Sequence, residues 1–153
     1  MSALAPSLLV ALCAQVACQL FKVAFYSVRE RRFAPRYFVS AGGIPSAHSA
    51  FVSALSVSVG IGSGFASDLF AVSAVFSIIV IYDSFRLRGQ VQEHARRINT
   101  MQRDAARGQH PGDTPRNERA PLNEMVGHSL PEIAVGVAAG SVLALLATVL
   151  IPG

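Results

Sequence analysis

Charged residues are scarce in this chain. Lysine, arginine, aspartate and glutamate make up 14% of its 153 residues, whereas hydrophobic residues make up 52%. An ordinary soluble domain carries about 25% charged residues, so the composition argues against a soluble protein. Several apolar stretches approach the roughly 20 residues that a helix needs to cross a bilayer. The sequence therefore predicts an all-α integral membrane protein with one domain over residues 1–153.

Tryptophan is absent and cysteine occurs only twice. Any aromatic anchoring at the membrane interface therefore falls to tyrosine and phenylalanine. Cys13 and Cys18 share the first apolar stretch but not one helix face, and this spacing suits neither a disulfide nor a metal site. Residues 1–27 lack a basic start and contain too long an apolar run for a cleavable signal peptide.

Lysine occurs once, so nearly all the basic charge comes from arginine. The basic residues occupy two segments, residues 22–36 and residues 86–119, and both flank apolar stretches. This arrangement indicates membrane orientation rather than a nucleic-acid surface. By the positive-inside bias, both segments lie in the cytoplasm or its organellar equivalent. We expect an inner or organellar membrane protein whose two termini face the other side.

The apolar pattern predicts about four transmembrane helices, at residues 3–28, from 46 to about 60, 69–82 and 130–152. Residues 60–68 are interpreted as a tight turn. After the third helix, apolar residues recur at spacings of three and four from Leu87 to Met101, which predicts a basic amphipathic helix on the membrane surface. Residues 108–121, rich in glycine, proline and charge, are predicted to be a flexible linker.

This topology brings polar residues from four helix ends to one membrane face: Lys22, Arg29, Ser46, His48, Asp83 and His128. Seven residues separate Lys22 from Arg29, so both project from one helix face and could converge on an anion. The alternative is that both extend to the lipid headgroups, which is costlier for the deeper Lys22.

The stretch "GGIPSAHS" places Gly43 and Ser46 before a helix start, where backbone can approach an anion and N–H groups favour it. The plain alternative is a capped helix with His48 at the interface.

His128 and Glu132 are four residues apart, so the carboxylate could fix the imidazole tautomer and leave the other nitrogen as nucleophile or base. An ordinary helix-stabilising pair is the alternative. Asp83 could hold Lys22 or an arginine, or form a simple interfacial salt bridge.

Three ordered blocks, "GGIPSAHSAFVSAL", "IVIYDSFRLR" with "RRIN" after it, and "LNEMVGHSLPEIAVG", resemble the divergent branch of the type 2 phosphatidic acid phosphatases. The wider superfamily, which includes vanadium haloperoxidases, carries the motifs K-x6-R-P, P-S-G-H and S-R-x5-H-x3-D. Lys22 and Arg29 match the first motif, with Glu30 where proline is usual. Residues 45–48 match the second with alanine for glycine, and His128 and Glu132 match the end of the third with glutamate for aspartate. Leu122 stands where that motif has arginine, and Arg88 is the candidate replacement.

The resemblance implies a reaction without a metal or other cofactor. His128 would attack phosphorus, oriented by Glu132, and His48 would protonate the leaving alcohol and then activate water. Phosphate would be bound by Lys22, Arg29, Arg88 and the N–H groups near Ser46. The expected substrate is a lipid phosphate or prenyl (di)phosphate at the cytoplasmic face of the bilayer, with no nucleic acid involved and a homo-oligomer left open. A non-catalytic headgroup binder or assembly factor is the main alternative, and a transporter or structural protein the third.

Overall fold

The computed structural model describes residues 5–40, 42–107 and 120–150. Those residues form five α-helices and one 3₁₀ helix, with no strand among them: α1 Pro6–Glu30, the 3₁₀ helix Pro35–Phe38, α2 Ala47–Ser63, α3 Asp68–Phe85, α4 Leu87–Arg107 and α5 Leu130–Leu150. The predicted all-α membrane bundle is confirmed. Most of the predicted linker, residues 108–119, lies outside the described residues.

Three helical stretches are long and apolar enough to cross a membrane, namely Pro6–Glu30, Asp68–Ala105, which contains α3, and Leu130–Leu150. The helix α2 is apolar but shorter, with 17 residues. At 1.5 Å per residue it measures about 26 Å, a little less than the ~30 Å hydrocarbon core of a bilayer. This short helix lies at the centre of the bundle and packs against α1, α3 and α5.

Small residues bring α2 and α5 into close contact. A Cβ atom on Gly136 would overlap the carbonyl oxygen of Ser46, and one on Gly140 would overlap the backbone of Ala50. Glycines four residues apart let two membrane helices approach at backbone distance, where dispersion contacts are most numerous. The glycine pair therefore fixes the register of α5 along α2.

Serine hydroxyls join α2 to α3 in the middle of the bundle. The Oγ atom of Ser56 lies 2.8 Å from that of Ser73 and 2.7 Å from that of Ser77. Ser77 also donates to the carbonyl oxygen of Val52 at 3.0 Å. Because water is absent from the hydrocarbon region, such interhelical hydrogen bonds satisfy groups that would otherwise be costly to bury.

The predicted turn at residues 60–68 is wrong in its first half, since α2 continues through Ser63. The ring of Phe65 folds back onto Gly60, where any Cβ atom would overlap it. This contact makes glycine suitable inside the helix, despite its low helix propensity. The turn itself is short, with Gly64 at φ +89° and Ser67 capping α3 by accepting a hydrogen bond from the Phe70 N–H at 3.2 Å.

The amphipathic helix predicted after the third span is present as α4, and its prediction as a helix is confirmed. An extended segment, residues 120–129, runs back along it and is named the strap. The side chain of Asn99 donates to the carbonyl of Leu122 at 2.9 Å and accepts from its N–H at 2.8 Å. Nearer the bundle, the Gly127 N–H donates to the side-chain oxygen of Gln92 at 3.0 Å. The strap is thus tied to α4 along its length and leads directly into α5.

Candidate active site

His128 and Glu132 form the contact that their spacing predicts. The Nδ1 atom of His128 lies 3.0 Å from Oε2 of Glu132, and the same oxygen accepts from the Ser129 N–H at 3.2 Å. The His128 side chain is 1% exposed and that of Glu132 is 20% exposed. The carboxylate therefore orients a buried imidazole through its Nδ1 atom, so that Nε2 points away from the pair.

The end of the strap holds His128 against the junction of α3 and α4. The His128 N–H donates to the carbonyl oxygen of Ser84 at 3.2 Å. A Cβ atom on Gly127 would lie 2.8 Å from Cα of Gly89 and 2.9 Å from the carbonyl carbon of Arg88. Only glycine allows the strap this close an approach, so the backbone position of His128 is set by packing as well as by hydrogen bonds.

His48, on the first turn of α2, faces His128 across the site. The centroids of the two imidazole rings are 6.3 Å apart and the ring planes meet at 64°. Its Nδ1 atom is buried and has no hydrogen-bond partner among residues 5–40, 42–107 and 120–150. A buried polar atom without a partner is costly, which makes this nitrogen available to a bound molecule.

Ser46 ties the start of α2 to the start of α5. It is fully buried, and its Oγ atom accepts from the Ser49 N–H at 3.3 Å and from the Ser49 hydroxyl at 3.0 Å. Its own N–H donates to the carbonyl oxygen of Glu132 at 3.1 Å. This N–H is therefore occupied, and the donors that α2 could offer an anion are those of Ala47 and His48, which lack an acceptor within the helix.

Lys22 is fully buried in the bundle. Its Nζ atom donates to the carbonyl oxygen of Ser40 at 3.3 Å, and its charge is close enough to interact with Glu132. Arg29 is instead exposed on the outer surface of α1, beside Phe25 and Val28. The structure therefore does not bring together the two cations that the sequence places on one face, because the buried face of α1 ends at Lys22.

Arg88 and Asp83 form a half-exposed ion pair at the junction of α3 and α4, with Nε of Arg88 3.0 Å from Oδ2 of Asp83. Asp83, Arg88 and Lys22 all lie close enough to His48 to interact with it electrostatically. The two residues therefore border the histidine pair. Arg86, which also follows α3, is exposed.

Gly43, which precedes α2, has φ +95°, a conformation that favours glycine. A Cβ atom there would lie 2.9 Å from the hydroxyl oxygen of Tyr26. In the part of the chain that the structure describes, no group of three or more histidine, cysteine or acidic residues is arranged to hold a metal ion.

Sequence reasoning missed the residues that hold the strap. Gln92 and Asn99 carry no motif of their own, although Asn99 ends the "RRIN" stretch. Asn99 is 6% exposed, and with Ala95 it is one of the two buried residues that the structure describes in α4. The signal available in the sequence was a single asparagine among arginines and hydrophobic residues. If such an asparagine is buried, its amide needs several hydrogen-bond partners, which would have indicated a contact with another segment.

Comparison with known proteins identifies the family of the chain. The family model described as "Divergent PAP2 family" matches residues 4–143. The chain belongs to the divergent PAP2 family. It is 34% identical over 144 residues to the uncharacterized membrane protein YuiD of Bacillus subtilis (strain 168), and the match covers 91% of each chain. No solved structure matches. The matched range of the divergent PAP2 family includes every helix end at the site, and the protein is a membrane PAP2-like protein.

Proposed function

We propose that this protein is a membrane-embedded, metal-independent phosphatase that hydrolyses a lipid phosphate or a prenyl (di)phosphate at the cytoplasmic face. The observation that carries the proposal is the pair of imidazoles 6.3 Å apart, one of them oriented by a carboxylate. Two histidines on separate helix starts, beside a buried lysine, have the composition of a phosphoryl-transfer site without a metal.

His128 acts as the nucleophile in this proposal. Its Nε2 atom attacks phosphorus as the bond from phosphorus to the lipid oxygen breaks, which gives a phosphohistidine and an alcohol. Glu132, 3.0 Å from Nδ1, stabilises the imidazole as it becomes positively charged. The carboxylate also keeps the Nδ1 proton in place, so the nucleophilic nitrogen carries the lone pair.

His48 acts first as the general acid and then as the general base in this proposal. It first protonates the oxygen of the departing alcohol, and then accepts a proton from the water that attacks the phosphohistidine, which releases phosphate and restores His128. Reacting atoms must approach to about 3 Å, and imidazoles whose ring centroids are 6.3 Å apart are close enough for both to reach one phosphoryl group bound beside them.

Charge on the phosphoryl oxygens is offset by cations and backbone dipoles. Lys22 lies deepest, Arg88 lies at the junction with α4, and the N–H groups of Ala47 and His48 point out from the start of α2. Arg88 must exchange its ion pair with Asp83 for one with phosphate. Arg29 lies on the outer surface and takes no part in binding the transferred group in this proposal.

A second function, binding of a phosphate or lipid headgroup without turnover, is favoured by a specific observation. Leu122 occupies the place of the arginine of the third motif and is held along α4, away from His128, and Arg88 is paired with Asp83. A site with one cation engaged elsewhere could bind an anion and leave the transition state poorly stabilised.

Phosphate release separates the two functions. Purified protein is incubated with a panel of lipid phosphates and prenyl diphosphates, with and without vanadate, and compared with His128→Ala and with His94→Ala. His94 is exposed on α4 and is the matched control. We expect release by the wild type and by His94→Ala, inhibition by vanadate, and none by His128→Ala. Release that persists in His128→Ala contradicts the proposed mechanism, and no release from any substrate favours the binder.

A further inference from the structure

One side of α4 forms an apolar stripe that the described part of the chain leaves uncovered. The stripe consists of Leu87, Val91, Ile98 and Met101, whose exposed fractions are 56%, 52%, 41% and 63%. Their spacings of four, seven and three residues place them on one helix face. Among the helices of the described residues, α4 contacts only α3, from which it continues.

The strap prevents this stripe from turning inward. Asn99 binds both the N–H and the carbonyl of Leu122, and donates to a carboxylate oxygen of Glu124 at 2.8 Å. Gln92 binds the Gly127 N–H on the same side of the helix. These contacts fix the rotation of α4 about its axis, so the strap occupies one face and the apolar stripe stays outward on another.

Basic side chains accompany the stripe. The helix carries five arginines against Glu93 and Asp104, a net charge of +3 with His94 neutral. Two of the arginines, Arg88 and Arg96, form ion pairs with carboxylates outside the helix, those of Asp83 and Glu124. Glu93 is engaged by Arg97, whose Nε atom lies 2.9 Å from its carboxylate. Near an anionic bilayer each added arginine or lysine increases binding roughly five-fold, and an apolar stripe flanked by such residues is typical of helices that lie in the membrane interface.

We propose that the apolar stripe of α4 docks on a lipid leaflet rich in anionic phospholipid. The spanning helix α3 delivers α4 to the membrane interface, since a single residue, Arg86, separates them. A second copy of the chain fits the stripe less well, because pairing would bring two helices of net charge +3 together. The proposal does not depend on turnover at the histidine pair.

The docked helix is also part of the site. It carries Arg88 and, through Gln92, holds the strap that leads to His128. Contact between α4 and the leaflet therefore sets the depth of Arg88 and of His128 relative to the lipid headgroups. An anionic leaflet would keep the site at the depth where a phosphorylated lipid presents its phosphate.

The absence of tryptophan allows a direct test. The full chain with Ile98→Trp, and separately with Thr100→Trp, is reconstituted in vesicles of phosphatidylcholine or of equal parts phosphatidylcholine and phosphatidylglycerol. Thr100 is exposed on the polar side of α4, two residues and about 200° from Ile98, and is the matched control. Fluorescence quenching by acrylamide reports exposure to water, and quenching by lipids with brominated acyl chains reports contact with the bilayer.

With the anionic vesicles we expect the indole of Ile98→Trp to be quenched several-fold more by brominated lipid, and less by acrylamide, than that of Thr100→Trp. Both differences should shrink in phosphatidylcholine alone. Strong acrylamide quenching of Ile98→Trp in anionic vesicles would overturn the proposal. Equal lipid quenching in both vesicle types would overturn the role of anionic lipid.

Protection from acrylamide without lipid quenching would show that a protein, such as a second copy, covers the stripe, and would likewise overturn the proposal. Met101→Trp, at the most exposed position of the stripe, repeats the test if Ile98→Trp fails to fold.

Discussion

Replacing His48 by alanine tests the proposed general-acid step, in which His48, and not His128, protonates the leaving alcohol. A general acid contributes about 10²–10⁴-fold to rate, which corresponds to roughly 3–5 kcal/mol of activation free energy. The start of α2 is held by Ser46 through hydrogen bonds to Ser49 and Glu132, none of which involves the His48 ring. Because Nδ1 of His48 has no partner within the described residues, the substitution should leave the fold intact.

The size of the effect should depend on the leaving group. An alkyl alcohol leaves as a strong base and needs the proton of His48, whereas the phenol of an aryl phosphate is acidic and needs little help. We expect His48→Ala to lower kcat/KM for a lipid phosphate by about 10²–10⁴-fold, and to lower it much less for an aryl phosphate.

The assay must isolate the first chemical step. The ratio kcat/KM reports events up to release of the alcohol, so it is unaffected by loss of water activation in the second step. That second loss should instead appear as a burst of phenol, one per site, followed by slow turnover. His94→Ala serves as the control because His94 is exposed on α4. An equal loss of kcat/KM for both substrates would refute the assignment of His48 as general acid.

Three further predictions address other parts of the molecule. Glu132→Gln should keep lipid binding but lower turnover, because an amide cannot stabilise the imidazolium; unchanged turnover, measured as phosphate release, would contradict the role of the carboxylate. Gly140→Leu should lower the free energy of unfolding by about 1–3 kcal/mol through overpacking, because a Cβ atom there overlaps the backbone of α2. The loss should appear as a lower Tm in detergent. Ala138→Leu, at an exposed position of α5, is the control, and equal Tm values for the two variants would refute the contact. Arg31→Cys and Arg97→Cys, in a chain without the native cysteines, should react with an impermeant maleimide from the same side; labelling from opposite sides would refute the topology.

The helices and the His128–Glu132 pair could be predicted from sequence because each depends on neighbours within a few residues. An apolar run specifies a membrane helix whatever surrounds it. Residues four apart on a helix meet irrespective of the rest of the fold. The same local logic indicated the amphipathic pattern of α4.

The features that could not be predicted depend on distant parts of the chain. Gly60 lies inside α2 with the ring of Phe65 folded over it, and this contact could not be predicted from the hydrophobic periodicity before Gly60. Lys22 and Arg29 share a helix face, yet only Lys22 lies within the span of α1 that its neighbours bury. The strap depends on Asn99 meeting Leu122, 23 positions away. Such contacts are fixed by tertiary packing rather than by propensity.

The distance between the two histidines depends on the seam between α2 and α5. Gly136 meets Ser46 and Gly140 meets Ala50, so the two helices run in the same direction in matched register. One turn before Gly136, the carbonyl of Glu132 accepts the Ser46 N–H. A slip of one residue would shift α5 by about 1.5 Å and rotate its side chains by about 100°, which would turn the carboxylate of Glu132 away from the site. The glycines therefore position the candidate catalytic groups without touching them, and a substitution in the seam should reduce activity before it unfolds the bundle.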